Sequence, residues 1–209
     1  MDFIQIPDAT PLDLSDLRIP IRTRGELDGA EMEQIAKTAH RYFQKGKWTD
    51  SSWFCEKFLR KLHFDLFGSI WEWGGKYRKT RVLPVGVEPY QIPMEMEKLV
   101  EDVAFWTSNS SVLPLLEQAA RIHHRLTWIH PFPNGNGRFS RFTADLFLFS
   151  FGAAFPRWPV ELNRSGKKRE QYIQAIRKAD FGYFEPLIEY MIECGASAES
   201  AKQSFLSPK

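Results

Sequence analysis

Cysteine is nearly absent: the 209 residues hold two, Cys55 and Cys194. That is too few for a disulfide framework or a metal knuckle. Both fall in apolar, helix-like surroundings, which predicts buried free thiols. Long apolar runs are missing as well. The longest candidate, residues 142–155, is interrupted by Thr143, Asp145 and Ser150, short of the roughly 18 residues that a membrane span needs. The first residues show neither the basic stretch nor the apolar stretch of a secretory signal, so a cytoplasmic chain with no membrane partner is expected. Charge of one sign is scarce. With 28 Lys and Arg against 26 Asp and Glu, the net charge of +2 is too mild to make nucleic acid an obligate partner. The His-Glu-x-x-His pattern does not occur, and no acidic residue lies between Arg121 and Phe142, which argues against a histidine-built metal site there. What the chain does have is apolar content, 43% with 14% aromatic, enough for one sizeable core.

Punctuation residues divide the chain into helices. Residues 1–22, with Pro7, Pro11 and Pro20, predict an irregular lead-in. Thr23-Arg24-Gly25-Glu26 has capping-box spacing and predicts a helix to about Phe43, with Ile35, Ala39 and Tyr42 on its inner face. Asp50 or Ser51 is expected to cap a second helix carrying Phe54, Phe58, Leu62 and Leu66, stopped by Gly68. The aromatic, glycine-rich residues 71–78 predict a loop folding back on the core. Between Thr80 and Ile92 the apolar residues are broken by Pro84, Gly86 and Pro89, which excludes a central strand and predicts an edge hairpin. Pro93 opens a third helix to about Thr107 and Pro114 a fourth to Ile129. Arg138 to Phe151 forms the most hydrophobic helix, ended by Gly152, and two more follow. The expected architecture is all-α: an N-terminal extension and helix (1–49) on a core domain (50–195), then a loose tail (196–209).

The chemistry concentrates between the fourth and fifth helices, in His130-Pro131-Phe132-Pro133-Asn134-Gly135-Asn136-Gly137-Arg138-Phe139-Ser140-Arg141. Gly135 and Gly137 free the backbone to turn sharply just before a helix begins. Unpaired amides at a helix N-terminus, with its partial positive charge, suit a phosphate. Arg138 and Arg141 lie three apart in the first turn, and two guanidinium forks beside such amides suit a di- or triphosphate. His130 closes the preceding helix; an imidazole with an ordinary pKa of about 6.5 can take a proton from a hydroxyl at neutral pH. A base beside a phosphate cradle implies group transfer from a nucleotide-like donor to an –OH acceptor. Such transfer usually needs a divalent cation, and Asn134 is placed to help hold one, although a neutral amide is a weak ligand. One of the pair His123 and His124 is expected to pack in the core and support the loop, and Trp71 and Trp73 are expected to pack there too. Lys167-Lys168-Arg169 is expected to be a solvated helix start.

This stretch resembles the Fic-family signature, His-x-Phe-x-(Asp/Glu)-Gly-Asn-Gly-Arg-x-x-Arg, at every fixed position except Asn134. The resemblance extends over about residues 50–190, through His123-His124-Arg125-Leu126, Trp73-Gly74-Gly75-Lys76-Tyr77-Arg78, and Tyr172 to Asp180. The opening (Thr10-Pro11-Leu12-Asp13, then Thr23-Arg24-Gly25-Glu26-Leu27) is similar to the subgroup called mobile mystery protein B. The resemblance implies a Fic-type helical bundle with a β-hairpin flap, acting as a protein adenylyltransferase. ATP would be the donor with Mg²⁺ or Mn²⁺, and AMP would pass to a Ser, Thr or Tyr hydroxyl of a target protein. His130 would be the base. Gly135, Asn136, Gly137, Arg138 and Arg141 would hold the phosphates, Phe132 would anchor the loop, and the target would dock on the 80–92 flap. Asn134 stands where the family has an acidic metal ligand, so slower transfer, another donor (UMP, phosphate or phosphocholine) or a non-catalytic nucleotide- or partner-binding domain are the alternatives. The family's self-inhibitory Ser/Thr-x-x-x-Glu-Gly/Asn helix is not found, so by resemblance either there is no built-in brake or a separate antitoxin-like inhibitory protein supplies it.

Overall fold

The computed structural model describes residues 14–44, 47–81, 85–108, 113–163 and 166–196, and among these the regular structure is helical. Seven α-helices run in order: α1 (Arg24–Tyr42), α2 (Glu56–Phe67), α3 (Ile92–Trp106), α4 (Leu115–Ile129), α5 (Asn136–Ser150), α6 (Lys167–Ala179) and α7 (Glu185–Glu193). The helix α5 is buried almost all round, from Phe139 through Leu148, as a helix apolar on every face must be. It pairs with α4, to which six residues join it, so the two run antiparallel. Around this pair, α2 packs on α5, α3 and α7 pack on α4, α1 covers α2, and α6 lies on α7.

The first helix begins as its spacing predicts. The Thr23 side chain accepts from the Glu26 N–H, and the Glu26 carboxylate accepts from the Thr23 N–H, a reciprocal capping box. The face it buries is more polar than expected, running through Leu27, Glu31, Thr38 and Tyr42, with Ile35 and Ala39 only half-buried. Asp65 of α2 explains this. Its main-chain carbonyl accepts from Gln34 and Thr38, both at 2.7 Å, and its carboxylate accepts from the Tyr42 hydroxyl at 2.6 Å and from Lys61 at 2.7 Å. Buried polar groups that find partners cost little, so a polar stripe can face a polar anchor.

Several expectations are corrected. The second helix starts at Glu56 behind Cys55, which caps it without a side-chain bond; Asp50 instead accepts from the Ser52 N–H in the turn before it. Cys55, at this rim position, is exposed and Cys194 half-buried, so neither is a core thiol. No strand occurs among the described residues; the one β feature is an isolated antiparallel bridge between Leu17 and Trp71. In the 80–92 stretch, Val82 to Pro84 lie outside the described residues. The second arm of the expected hairpin is instead a 3-10 turn, Pro89–Gln91, closed by Glu88 and Gln91 and running straight into α3. Proline at the first position favours helix entry over strand pairing. The expected lead-in up to residue 13 and the tail from 197 lie outside the described residues. No helix of the described residues is long and apolar enough to cross a membrane.

Tyr42→Phe removes the hydroxyl that joins α1 to the Asp65 carboxylate. A bond to a charged group contributes about 2 kcal/mol, so urea unfolding should show a loss of that size. A change below about 0.5 kcal/mol would show that this contact is not what holds α1 in place.

Candidate active site

The site is a turn of six residues between two left-handed conformations. His130, the C-cap of α4, has φ 52° and ψ 60°, and it is the non-glycine residue with positive φ among the described residues. Gly135, the N-cap of α5, has φ 78°. A Cβ on Gly135 would lie 2.7 Å from the Phe67 ring, so both the backbone conformation and the space demand glycine there. The helix starts two residues earlier than expected, at Asn136, because Gly135 already completes the reversal. Its first helical bond runs from the Phe139 N–H to the Gly135 carbonyl at 2.9 Å. The N–H groups of Asn136, Gly137 and Arg138 lie ahead of that bond, at the positive end of the helix, where an anion is stabilised.

Between its ends the turn is pinned from below. Phe132 is fully buried, and His63 of α2 stacks on it with centroids 3.5 Å apart and planes 13° from parallel. The Gly75 N–H donates to His63 Nδ1 at 3.0 Å, so the ring proton sits on Nε2, which donates to the Asn134 carbonyl at 3.2 Å. Burial pushes the His63 pKa down to about 3 and keeps the ring neutral, as this pattern requires. Asn136 is 1% exposed, with Oδ1 accepting from the Phe132 N–H at 2.9 Å and Nδ2 donating to the Phe132 carbonyl at 2.7 Å. Its side chain is therefore committed to the loop, and what it can offer a phosphate is its main-chain N–H.

His130 is oriented by its own helix. Nδ1 lies 3.3 Å from the Thr127 carbonyl, so that nitrogen carries the proton and Nε2 is the basic one. Burial, opposed by the Thr127 bond and aided by the Arg78 charge, pushes the pKa down to about 4, so the imidazole is neutral at pH 7. A neutral, oriented ring is what a general base needs.

The two arginines point apart in this structure, although one helical turn carries both. Arg138 lies over the Phe67 ring at 4.7 Å and bonds the Glu31 carboxylate of α1 at 2.6 and 3.4 Å. Glu31 is 5% exposed and also accepts from Trp71 Nε1 at 2.8 Å. Arg141 turns the other way, 8% exposed, with its guanidinium 5.7 Å from the Tyr172 ring and 3.4 Å from the Tyr172 hydroxyl. That hydroxyl also meets His123 Nε2 at 2.9 Å. The attraction of a buried carboxylate outweighs sharing a helix face. His123 is fully buried, and Trp71 and Trp73 stack on each other in the core rather than forming an open platform.

A divalent ion fits this donor set poorly. Asn134 is neutral and its Oδ1 accepts from the Gly135 N–H at 2.7 Å, and no group of three or more His, Cys, Asp or Glu is arranged for a metal among the described residues. Three residues without a role assigned from the sequence shape the site: His63, Glu31 and Arg78, the last at the end of the Trp73–Arg78 stretch. No spacing announces them, because each reaches the turn from a distant helix or loop.

Fold and site together define a class: an all-α domain in which one helix ends in a histidine and the next begins as an anion cradle. Residues 53–148 match the model of the Fic/DOC family. Protein adenylyltransferase fic-1 of Caenorhabditis elegans is 30% identical over 119 residues, 56% of this chain and 22% of that protein. A probable protein adenylyltransferase of Aquifex aeolicus is 30% identical over 111 residues, 51% of this chain and 31% of that protein. The matches thus span less than a third of these curated relatives. Among solved structures, the N-terminal Fic domain of a putative cell filamentation protein from Bartonella quintana superposes with a TM-score of 0.67 at 20% identity, covering 96% of each chain. BepC of Bartonella tribocorum, solved with bound AMPPNP, gives 0.66 at 19% identity, covering 90% of this chain and 93% of that one.

The buried histidines set a pH dependence of stability. His63 and His123 are pushed down to about 3 and His130 to about 4, and His124 is lowered as well, in each case first by burial. In the unfolded chain they titrate at about 6.5. Below that pH the unfolded state takes up protons that the folded state excludes, so stability falls as pH falls from about 6.5 towards 4. Burial raises Asp145 and acts in the opposite sense, but as one group against four. Urea unfolding free energy should drop from pH 7 to pH 4.5, by about 1.4 kcal/mol per pH unit for each uncompensated proton. A flat or rising profile would contradict neutral histidines.

Proposed function

We propose that the chain transfers AMP from ATP to a Ser, Thr or Tyr hydroxyl of a target protein, with His130 as general base. The observation that carries this reading is the neutral, oriented imidazole and the amide-lined start of α5 in one short turn. The names of the relatives, protein adenylyltransferases, support it. In the reaction, Nε2 of His130 takes the hydroxyl proton while the hydroxyl oxygen bonds the α-phosphorus. The bond from that phosphorus to the bridging oxygen breaks, and pyrophosphate leaves with the electron pair. The amides of Asn136, Gly137 and Arg138, flanked by Gly135, meet the phosphates, and the Arg138 and Arg141 guanidinium groups offset the charge that grows on the leaving group. Mg²⁺ or Mn²⁺ would arrive with ATP as part of the substrate. The target's backbone would lie along the 80–92 segment, and a separate antitoxin-like protein would hold the activity in check.

Two observations favour a second reading, a nucleotide- or partner-binding domain with little transfer: the neutral Asn134 and the engagement of Arg138 by Glu31. Donors bearing UMP, phosphate or phosphocholine remain close variants of the first, because amides grip phosphate without reading a base.

Purified protein incubated with α-labelled ATP, Mg²⁺ or Mn²⁺ and cell lysate should place covalent label on lysate proteins. His130→Ala should reduce the rate by about 10²-fold or more. Absent label with the unaltered protein, or equal label with His130→Ala, would falsify the adenylyltransferase reading, and ATP binding retained in that case would support the second.

Glu31→Gln keeps an acceptor for Trp71 Nε1 but removes the charge that holds Arg138. Calorimetric titration with ATP should then show binding about tenfold tighter, equivalent to about 1.4 kcal/mol. An unchanged Kd would show that Arg138 reaches phosphate without leaving Glu31.

A further inference from the structure

Arg78 is 3% exposed, yet it forms no ion pair among the described residues. Its acceptors are main-chain carbonyls from two parts of the chain. Nε donates to the His130 carbonyl at 2.6 Å and one terminal nitrogen to the Ile129 carbonyl at 3.3 Å. The same guanidinium donates to Thr80 at 3.0 Å and to Val87. The first two acceptors are at the carbonyl end of α4, which has no helical donors left and carries partial negative charge. The other two flank the 80–87 segment. Main-chain bonds run alongside: the Arg78 N–H donates to Pro131 at 2.9 Å and the Val87 N–H to Ile129 at 3.3 Å.

His130 needs such a clamp. A residue with a Cβ holds a left-handed conformation only where its surroundings over-determine it. Here the surroundings include Gly86, at φ 92°, whose backbone runs against the histidine itself. A Cβ on Gly86 would sit 2.6 Å from the Arg78 guanidinium and 2.9 Å from His130 Cβ. Gly86, Arg78 and His130 are thus in direct succession, with no room for a side chain at Gly86.

We propose that Arg78 is the positioning residue of this site: by bonding the carbonyls of Thr80 and Val87 together with those of Ile129 and His130, it fixes the end of α4 and with it the orientation of the His130 ring. This rests on the reading of His130 as the base, and the test separates the two.

Arg78→Gln, Arg78→Lys and Gly86→Ala are compared with the unaltered protein, each first shown to be folded by circular dichroism. The ring nitrogens of His130 are followed by ¹⁵N NMR, assigned by their loss in His130→Ala. The unaltered protein should show a single tautomer protonated on Nδ1. Arg78→Gln and Gly86→Ala should show a mixture of tautomers, with Arg78→Lys in between, because a point-like ammonium cannot serve four carbonyls as a planar fork can. In the transfer assay, kcat should fall about 100-fold for Arg78→Gln and about tenfold for Arg78→Lys, with KM for ATP within about twofold. If Arg78→Gln does not fold, the other two variants decide. Folded variants with unaltered His130 ring signals, or a loss confined to KM, overturn the proposal. The ring signals need no turnover, so a chain that transfers nothing would refute the adenylyltransferase reading while the spectra still decide the role of Arg78.

Discussion

Everything in this molecule depends on reversing the chain between two core helices within six residues, with a left-handed residue at each end. A longer connection would leave α5 free to shift against α4, and a regular one could not turn. The tight reversal places the spent carbonyl end of one helix beside the unspent amide end of the next. A base and an anion cradle are then the two sides of one geometrical necessity. Burying that turn carries a cost, since its main-chain groups must be satisfied without water. The Asn136 amide and the His63 ring meet that demand from inside the fold.

The surrounding helices divide the remaining tasks by charge. To one side, α1 brings a carboxylate that meets Arg138; to the other, α6 brings a phenol that meets Arg141. The arginines are thus splayed before any ligand arrives. A polyphosphate would have to compete with Glu31 for Arg138, whereas Arg141 lies beside the Tyr172 ring and hydroxyl. The two sides of the cradle therefore differ in their partners, although the sequence writes them as the same residue three positions apart.

The helical architecture was largely legible in the sequence, because apolar periodicity and punctuation are local. Thr23 with Glu26, Pro114 and Gly152 mark element ends whose causes lie within four residues. The turn was legible for the same reason. What could not be read were the long-range polar partners. Glu31 meets Arg138 across 107 positions, His63 meets Asn134 across 71, and Arg78 meets His130 across 52. Each is a polar residue in a mostly apolar setting, which the sequence leaves ambiguous between a solvated face and a buried partner. The missing hairpin had a different origin: Pro89 reads as a strand breaker, but locally it is a helix opener.

The pairing of Glu31 with Arg138 and Trp71 also bears on what counts as one inheritable unit. The family pattern begins at residue 53, beyond the whole of α1, yet a carboxylate from α1 is built into the floor of the cradle. A gene fragment cut at the edge of the recognisable pattern would keep every signature residue and leave a buried indole N–H and an arginine without their counter-group. A version of the domain without α1 would therefore need another acid at the same spot to meet Arg138 and the Trp71 N–H.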